Sequence, residues 1–279
     1  VWNVFAAPEL SLQAKDWCLL VVGCVNYRGY YDRRAAEQLA AELRAAGYDT
    51  YVGGVPAYST LGHFDDPVLN TFLRLGTLAV ARTVFHELAH QIVFVPGDTL
   101  FNESFATALE EEGLRRWLRE HGSSGQRAQH ETQQQRQAEF TMLLHAYRER
   151  FTALYSSDLP PAGKRAAKTA LLARLRSDHA ALQAAWGGVA GHARFVADDL
   201  NNASLASLAL YSELVPAFEQ LLASQDHDLP RFYREVASLA ALATSERHAA
   251  LRALLPPASG GDGGVAGGSA EDENRLPVR

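Results

Sequence analysis

The stretch Thr83-Val84-Phe85-His86-Glu87-Leu88-Ala89-His90-Gln91-Ile92, followed past Pro96-Gly97-Asp98 by Phe101-Asn102-Glu103-Ser104-Phe105-Ala106, decides how this chain is read. Residues four apart on a helix differ by about 40° in azimuth and one turn in height, so His86 and His90 leave the same face and can close on one metal ion. Glu87 lies about 100° around that helix, too far to be a third ligand but near enough to reach a water on the ion. Val84, Leu88, Ala89 and Gln91 are uncharged and Ile92 is apolar. One side of the helix is therefore expected to be buried while the imidazoles face a cavity.

Two histidines leave a catalytic zinc site short of its usual three protein ligands and open vertex. The turn at Pro96-Gly97-Asp98 lets a second helix, opening at Phe101, run back beside the first. Twelve residues separate His90 from Glu103. This spacing brings Glu103, in the first turn of the second helix, beside the imidazoles as the third ligand of one Zn²⁺. The alternative reading of Glu103 is a carboxylate placed to suit the helix dipole.

Working outward, Trp17 to Val25 is apolar at nearly every position and reads as one strand, ended by a turn at Asn26-Tyr27-Arg28-Gly29. Asp32 to Ala46 has helical spacing between an Asp start and Gly47, and Asp49 to Val55 is a second short strand. From Asp66 on the pattern is helical, with breaks at Pro96-Gly97, Gly122 to Gly125, Pro160-Pro161, Gly187-Gly188 and Pro230. Gln126 to Arg150 reads as a long surface helix whose stripe of Phe140, Leu143, Leu144 and Tyr147 serves packing. The expected class is mainly α with a small β element (α+β). It divides into an N-terminal strand-helix-strand unit (1–65), a helical catalytic body ending in a bundle (66–255) and a flexible Gly-rich tail (256–279).

With 279 residues, 47% of them apolar, the chain can bury a sizeable core. The net charge of -6 offers no basic excess to nucleic acid or an anionic membrane surface, and no apolar run approaches the roughly 20 residues of a membrane span. Cys18 and Cys24 are the whole thiol inventory. They read either as a short-loop disulfide or as two small buried apolar residues.

HELAH from His86 followed by LFNESFATALE from Leu100 resembles the gluzincin metallopeptidases, whose third ligand lies in such a segment. A closer resemblance is to a bacterial family of predicted zinc aminopeptidases, carried by VGCVNYRGYYD from Val22, YVGGVPAYSTLGHFDDP from Tyr51, FHELAHQIVFVPGDTLFNESFA from Phe85 and LNNASLASLALYSELVPAF from Leu200. It spans Trp17 to Leu255. The resemblance implies His86, His90 and Glu103 as zinc ligands and Glu87 as general base. Glu110 matches an acidic position that supports the ligands in alanyl aminopeptidases, and Asn102 is placed with it behind them. Two departures stand out: the spacer before Glu103 is shorter than in those enzymes, and the GxMEN segment that grips a free amino terminus is missing.

Gly53, Gly54, Val55, Pro56, Ala57 and Tyr58 precede the metal helix where gluzincins carry an edge strand that pairs with substrate backbone. Glycines would permit that approach, and a structural turn is the alternative. Tyr211 is the candidate to stabilise the oxyanion, with Tyr58 next. Asp65 and Asp66 read as a helix cap or as a site for an α-ammonium group. His63, His121, His130, His145, His179, His192, His227 and His248 share no ligand spacing and show no base partner. The expected activity is removal of N-terminal residues from peptides, with a zinc endopeptidase or a zinc-containing scaffold as alternatives. The chain begins at Val1, so a leader or lipid anchor removed from the protein is one reading of its start. The resemblance and the cysteine pair point to the bacterial cell envelope or periplasm, with the cytoplasm as the alternative.

Overall fold

Strand β1 (Trp2–Pro8) is the centre of the fold's main sheet. The computed structural model describes residues 1–19, 23–55, 73–74, 76–189, 196 and 199–255. After β1 come β2 (Trp17–Leu19), β3 (Gly23–Val25), β4 (Arg28–Tyr30), helix α1 (Arg33–Ala45) and β5 (Tyr48–Gly54). β1 pairs antiparallel with β4 on one side and β5 on the other. Successive side chains of a strand point to opposite faces. Val4 accordingly packs with Ala36 and Ala40 of α1, whereas Phe5 and Ala7 pack with Tyr51, Ala203 and Leu210. Both faces are covered, which is why β1 is apolar almost throughout. Helix α1 has the expected limits: Asp32 accepts a hydrogen bond from the Arg34 N–H at its start, and Gly47 adopts a φ of 86° just beyond its end.

The single strand expected over Trp17 to Val25 is corrected: β2 and β3 pair antiparallel, with Cys18 opposite Cys24, and the two cysteines form a disulfide. Both arms of this ladder are rich in apolar residues, so the sequence shows no change of pattern between them. The expected turn at Asn26 to Gly29 is also shorter, because β4 begins at Arg28. Gly23 (φ 75°) abuts the Pro96-Gly97 turn so closely that a Cβ there would lie 2.9 Å from the Gly97 nitrogen.

Helices α2 (Thr77–Ile92) and α3 (Thr99–His121) lie against each other. A Cβ on Gly113 would come within 2.7 Å of the Phe85 ring, so this approach requires the missing side chain. Phe101, Phe105 and Leu109 of α3 then pack with Phe218 and Leu222 of α7 (Val215–Ser224), Phe232 and Val236 of α8 (Leu229–Ala240) and Leu251 of α9 (Thr244–Arg252). A second core joins Phe140, Leu144, Tyr147 and Phe151 of α4 (Ser124–Ser156) to Leu172 and Leu175 of α5 (Pro161–Ala185) and Leu205 of α6 (Asn202–Leu210). The fold is mainly helical with a small sheet, as the α+β expectation requires.

One expectation about α2 is reversed. Val84, Leu88 and Ile92 are 37%, 48% and 42% exposed, whereas Ala89 and His90 are buried. The helix turns its small residue and its imidazoles inward against α3, and that close approach leaves the bulkier flank outside. No helix among the described residues is long and apolar enough to cross a membrane. The Gly-rich segment 256–279 lies outside the described residues.

Candidate metal centre

His86 and His90 project from α2 with ring centroids 5.1 Å apart. Glu103 meets them from α3: its Oε2 lies 3.3 Å from His86 Nε2 and 3.9 Å from His90 Nε2. The three ligand atoms are all within 4.8 Å of one another, an arrangement that could hold a metal ion. Two imidazole nitrogens and one carboxylate oxygen are a donor set that suits Zn²⁺. The second helix opens earlier than expected, at Thr99, because Asp98 caps it by accepting from the Phe101 N–H at 3.1 Å. Glu103 therefore stands just past the first turn. Asn102 accepts from the Val95 N–H and donates to the Val95 carbonyl, both at 2.8 Å. It pins the connection between the two helices and makes no hydrogen bond to the ligand set.

Glu110, two turns along α3 from Glu103, accepts from His86 Nδ1 at 3.0 Å and from Arg82 Nη1 at 2.9 Å. Arg82 also pairs with Glu111. With the proton on Nδ1, Nε2 is left to face Glu103 and the ion position. Burial alone would lower the His86 pKa, but its hydrogen bonds to Glu103 and Glu110 and the charge on both raise it to about 10. His90 moves the other way: burial lowers its pKa and so does the neighbouring His86, against the opposing charge of Glu103. Its Nδ1 is buried without a hydrogen-bond partner among the described residues. The metal-free site thus holds a proton on His86, and a metal ion would have to displace it.

These residues form one wall of a cavity of about 620 Å³, which Glu87 also lines. Tyr211, the residue that ends α6, reaches the same space with its ring centroid 6.5 Å from that of His86. Burial pushes its phenol well above the usual range, and the charges of Glu103 and Glu87 add to the rise. Sequence reasoning missed Tyr27. Its ring packs 5.6 Å from Phe5, it lines the cavity, and burial followed by the charges of Glu103 and Glu87 raises its phenol too. No spacing rule could have found it, because the sheet carries it to the site. The one signal was its place in the VNYRG segment.

Gly53, Gly54 and Val55 line the cavity on the sheet side. Pro56, Ala57, Tyr58, His63, Asp65, Asp66 and His192 lie outside the described residues. Phe140 and Leu144 touch the cavity as well as the core, so that stripe is not confined to packing. His248 departs from the expectation of no partner, since its Nε2 lies 2.9 Å from both carboxylate oxygens of Asp98. His179 is buried 5.5 Å from the Phe140 ring, and His130 is buried with neither nitrogen hydrogen-bonded among the described residues. A family model described as "Putative aminopeptidase" matches residues 1–251. No curated protein and no solved structure matches the chain.

Proposed function

This chain belongs to the "Putative aminopeptidase" family, and on that premise we propose that it is a zinc-dependent metallopeptidase of gluzincin type that removes N-terminal residues from peptides. The observation that carries the reading is the convergence of His86, His90 and Glu103 beside a cavity lined by Glu87. His86, His90 and Glu103 would hold the ion. When bound, zinc supplies a Lewis acid that polarises a carbonyl and brings the pKa of a water to about 7.

The chain's own groups supply the rest. Glu87 takes a proton from the attacking water and passes it to the departing amine. Glu110, anchored by Arg82, keeps the His86 ring in the tautomer that presents Nε2. The phenol of Tyr211 stays protonated because of its burial and the carboxylates nearby, so it can donate to the oxygen on which negative charge develops. Gly53, Gly54 and Val55 offer the backbone along which substrate would lie. An oxidising compartment, the bacterial cell envelope or periplasm, belongs to the proposal, and the Cys18–Cys24 disulfide supports it.

The test combines metal analysis with peptide cleavage. Glu87→Gln should lower turnover by about a thousandfold while zinc remains near one equivalent. Loss of the metal instead would contradict the role given to Glu87. Free peptides should be cleaved and their N-acetylated forms spared; equal cleavage of both would make the protein an endopeptidase.

A further inference from the structure

Asn3 is the one polar residue in the buried run of β1. It is 5% exposed, lines the cavity, and its side chain makes no hydrogen bond among the described residues. With no partner of its own among these residues, the amide keeps its hydrogen-bonding capacity for whatever enters the cavity. Its neighbours strengthen the case. In register, Asn3 faces Gly29 on β4 and Gly53 on β5. A Cβ on Gly29 would lie 3.3 Å from Asn3 Oδ1, and one on Gly53 would lie 3.1 Å from the Tyr51 ring. Glycine inside a strand often marks a place where another backbone comes close. Here a glycine flanks the amide on each side, with the Asn3 and Val1 side chains over Gly29 and the Tyr51 ring over Gly53.

We infer that Asn3 is a substrate-binding residue whose amide hydrogen-bonds a peptide group of an extended substrate main chain lying in the Gly29–Asn3–Gly53 lane. This rests on the peptidase reading above and goes further by naming the residue and the group it recognises. An amide side chain both donates and accepts, and a peptide group presents one N–H and one C=O, so the two match. An ammonium or a carboxylate would use only half of the amide. The bound group differs from the one cleaved. Phe5 is the next residue of β1 on the same face, and its ring stands against Tyr27, which lies near Glu103 and Glu87. Asn3 therefore meets the substrate one step away from the metal ligands.

The test uses zinc-loaded Glu87→Gln protein and a fluorescent hexapeptide with a free amino terminus, read by anisotropy, with Asn3→Ala and Gly29→Ala introduced separately. Loss of a hydrogen-bonded pair should weaken binding about tenfold, and Gly29→Ala should act in the same direction by crowding the amide. In the otherwise native enzyme, Asn3→Ala should raise KM for the hexapeptide by about the same factor. It should leave kcat and the KM of a single-residue aminoacyl arylamide within about twofold, since that substrate lacks the second peptide group. Tm should not fall, because no intramolecular bond is lost. Unchanged hexapeptide binding, an equal effect on both substrates, or a fall in Tm alongside the loss would each overturn the inference. Asn3-dependent binding without turnover by the native protein would sink the peptidase reading and leave this one standing. A hexapeptide neither bound nor cleaved would overturn both.

Discussion

The hydrogen-bond chain Arg82–Glu110–His86 gives the proposed metal centre its sharpest residue-level consequence. Glu110 fixes the ring of a proposed ligand, and partners of this kind typically change metal affinity by about 10- to 100-fold when removed. Glu110→Ala should weaken zinc binding by that factor in a chelator competition and leave the other two ligands in place. A second consequence concerns pH. The His86 pKa in the metal-free protein is about 10, so below that value a proton occupies the nitrogen a metal needs. Zinc uptake should then release about one proton, and affinity should rise about tenfold per pH unit between roughly pH 7 and 9. The sign follows from the raised pKa: lowering the pH favours the proton, raising it favours the metal. Titration calorimetry in buffers of different ionisation enthalpy reads the proton directly, and a pH-independent affinity would remove the His86 proton from the scheme.

At the scale of elements, the candidate metal site is a product of how closely α2 and α3 approach. Gly113 faces Phe85, the residue before His86, with no room for a Cβ. Gly113→Ala should cost about 1–3 kcal/mol, as overpacking generally does, and should lower zinc affinity by moving one ligand-bearing helix relative to the other. A Tm unchanged within error would show that Phe85 can swing aside. This also explains what was legible beforehand. His86, Glu87 and His90 are set by helix geometry within one turn, and α1 by Asp32 and Gly47, so local rules suffice for them. Glu103 needed only the length of a short connection. Tyr27 and Asn3 could not be read that way, because they reach the cavity through strand register and through the packing of α6 on the sheet. The β2–β3 pairing was hidden inside one apolar run, and the exposure of Leu88 depends on which side of α2 comes to face α3.

At the scale of the whole molecule, the sheet is tied to the helices by a nearly closed polar network. Lys168 of α5 donates to Asp49 at 2.6 Å and to the Glu9 carbonyl at 2.8 Å. Asp49 also accepts from the Asn202 N–H at 2.9 Å, and the Asn202 side chain donates to the Pro8 and Glu9 carbonyls while accepting from Tyr155 at 2.7 Å. Residues of β5, the end of β1, α4, α5 and α6 are thereby held together. Lys168 is only 8% exposed, so the ammonium depends on Asp49 for its counter-charge. Breaking such a buried pair by removing one partner generally costs about 3–5 kcal/mol. Asp49→Asn should lose stability of that order in urea unfolding, whereas replacing the exposed Glu37 of the Arg33–Glu37 pair should change it by less than about 1 kcal/mol. The network also predicts a single cooperative transition, with circular dichroism at 222 nm and tryptophan fluorescence giving the same midpoint. Trp2 and Trp17 report the N-terminal strands, and Trp117 and Trp186 the helices. Separate midpoints would mean that the strand-helix-strand unit folds on its own and that these hydrogen bonds only dock it. In that case Asp49→Asn should shift the docking step and leave the helical transition where it was.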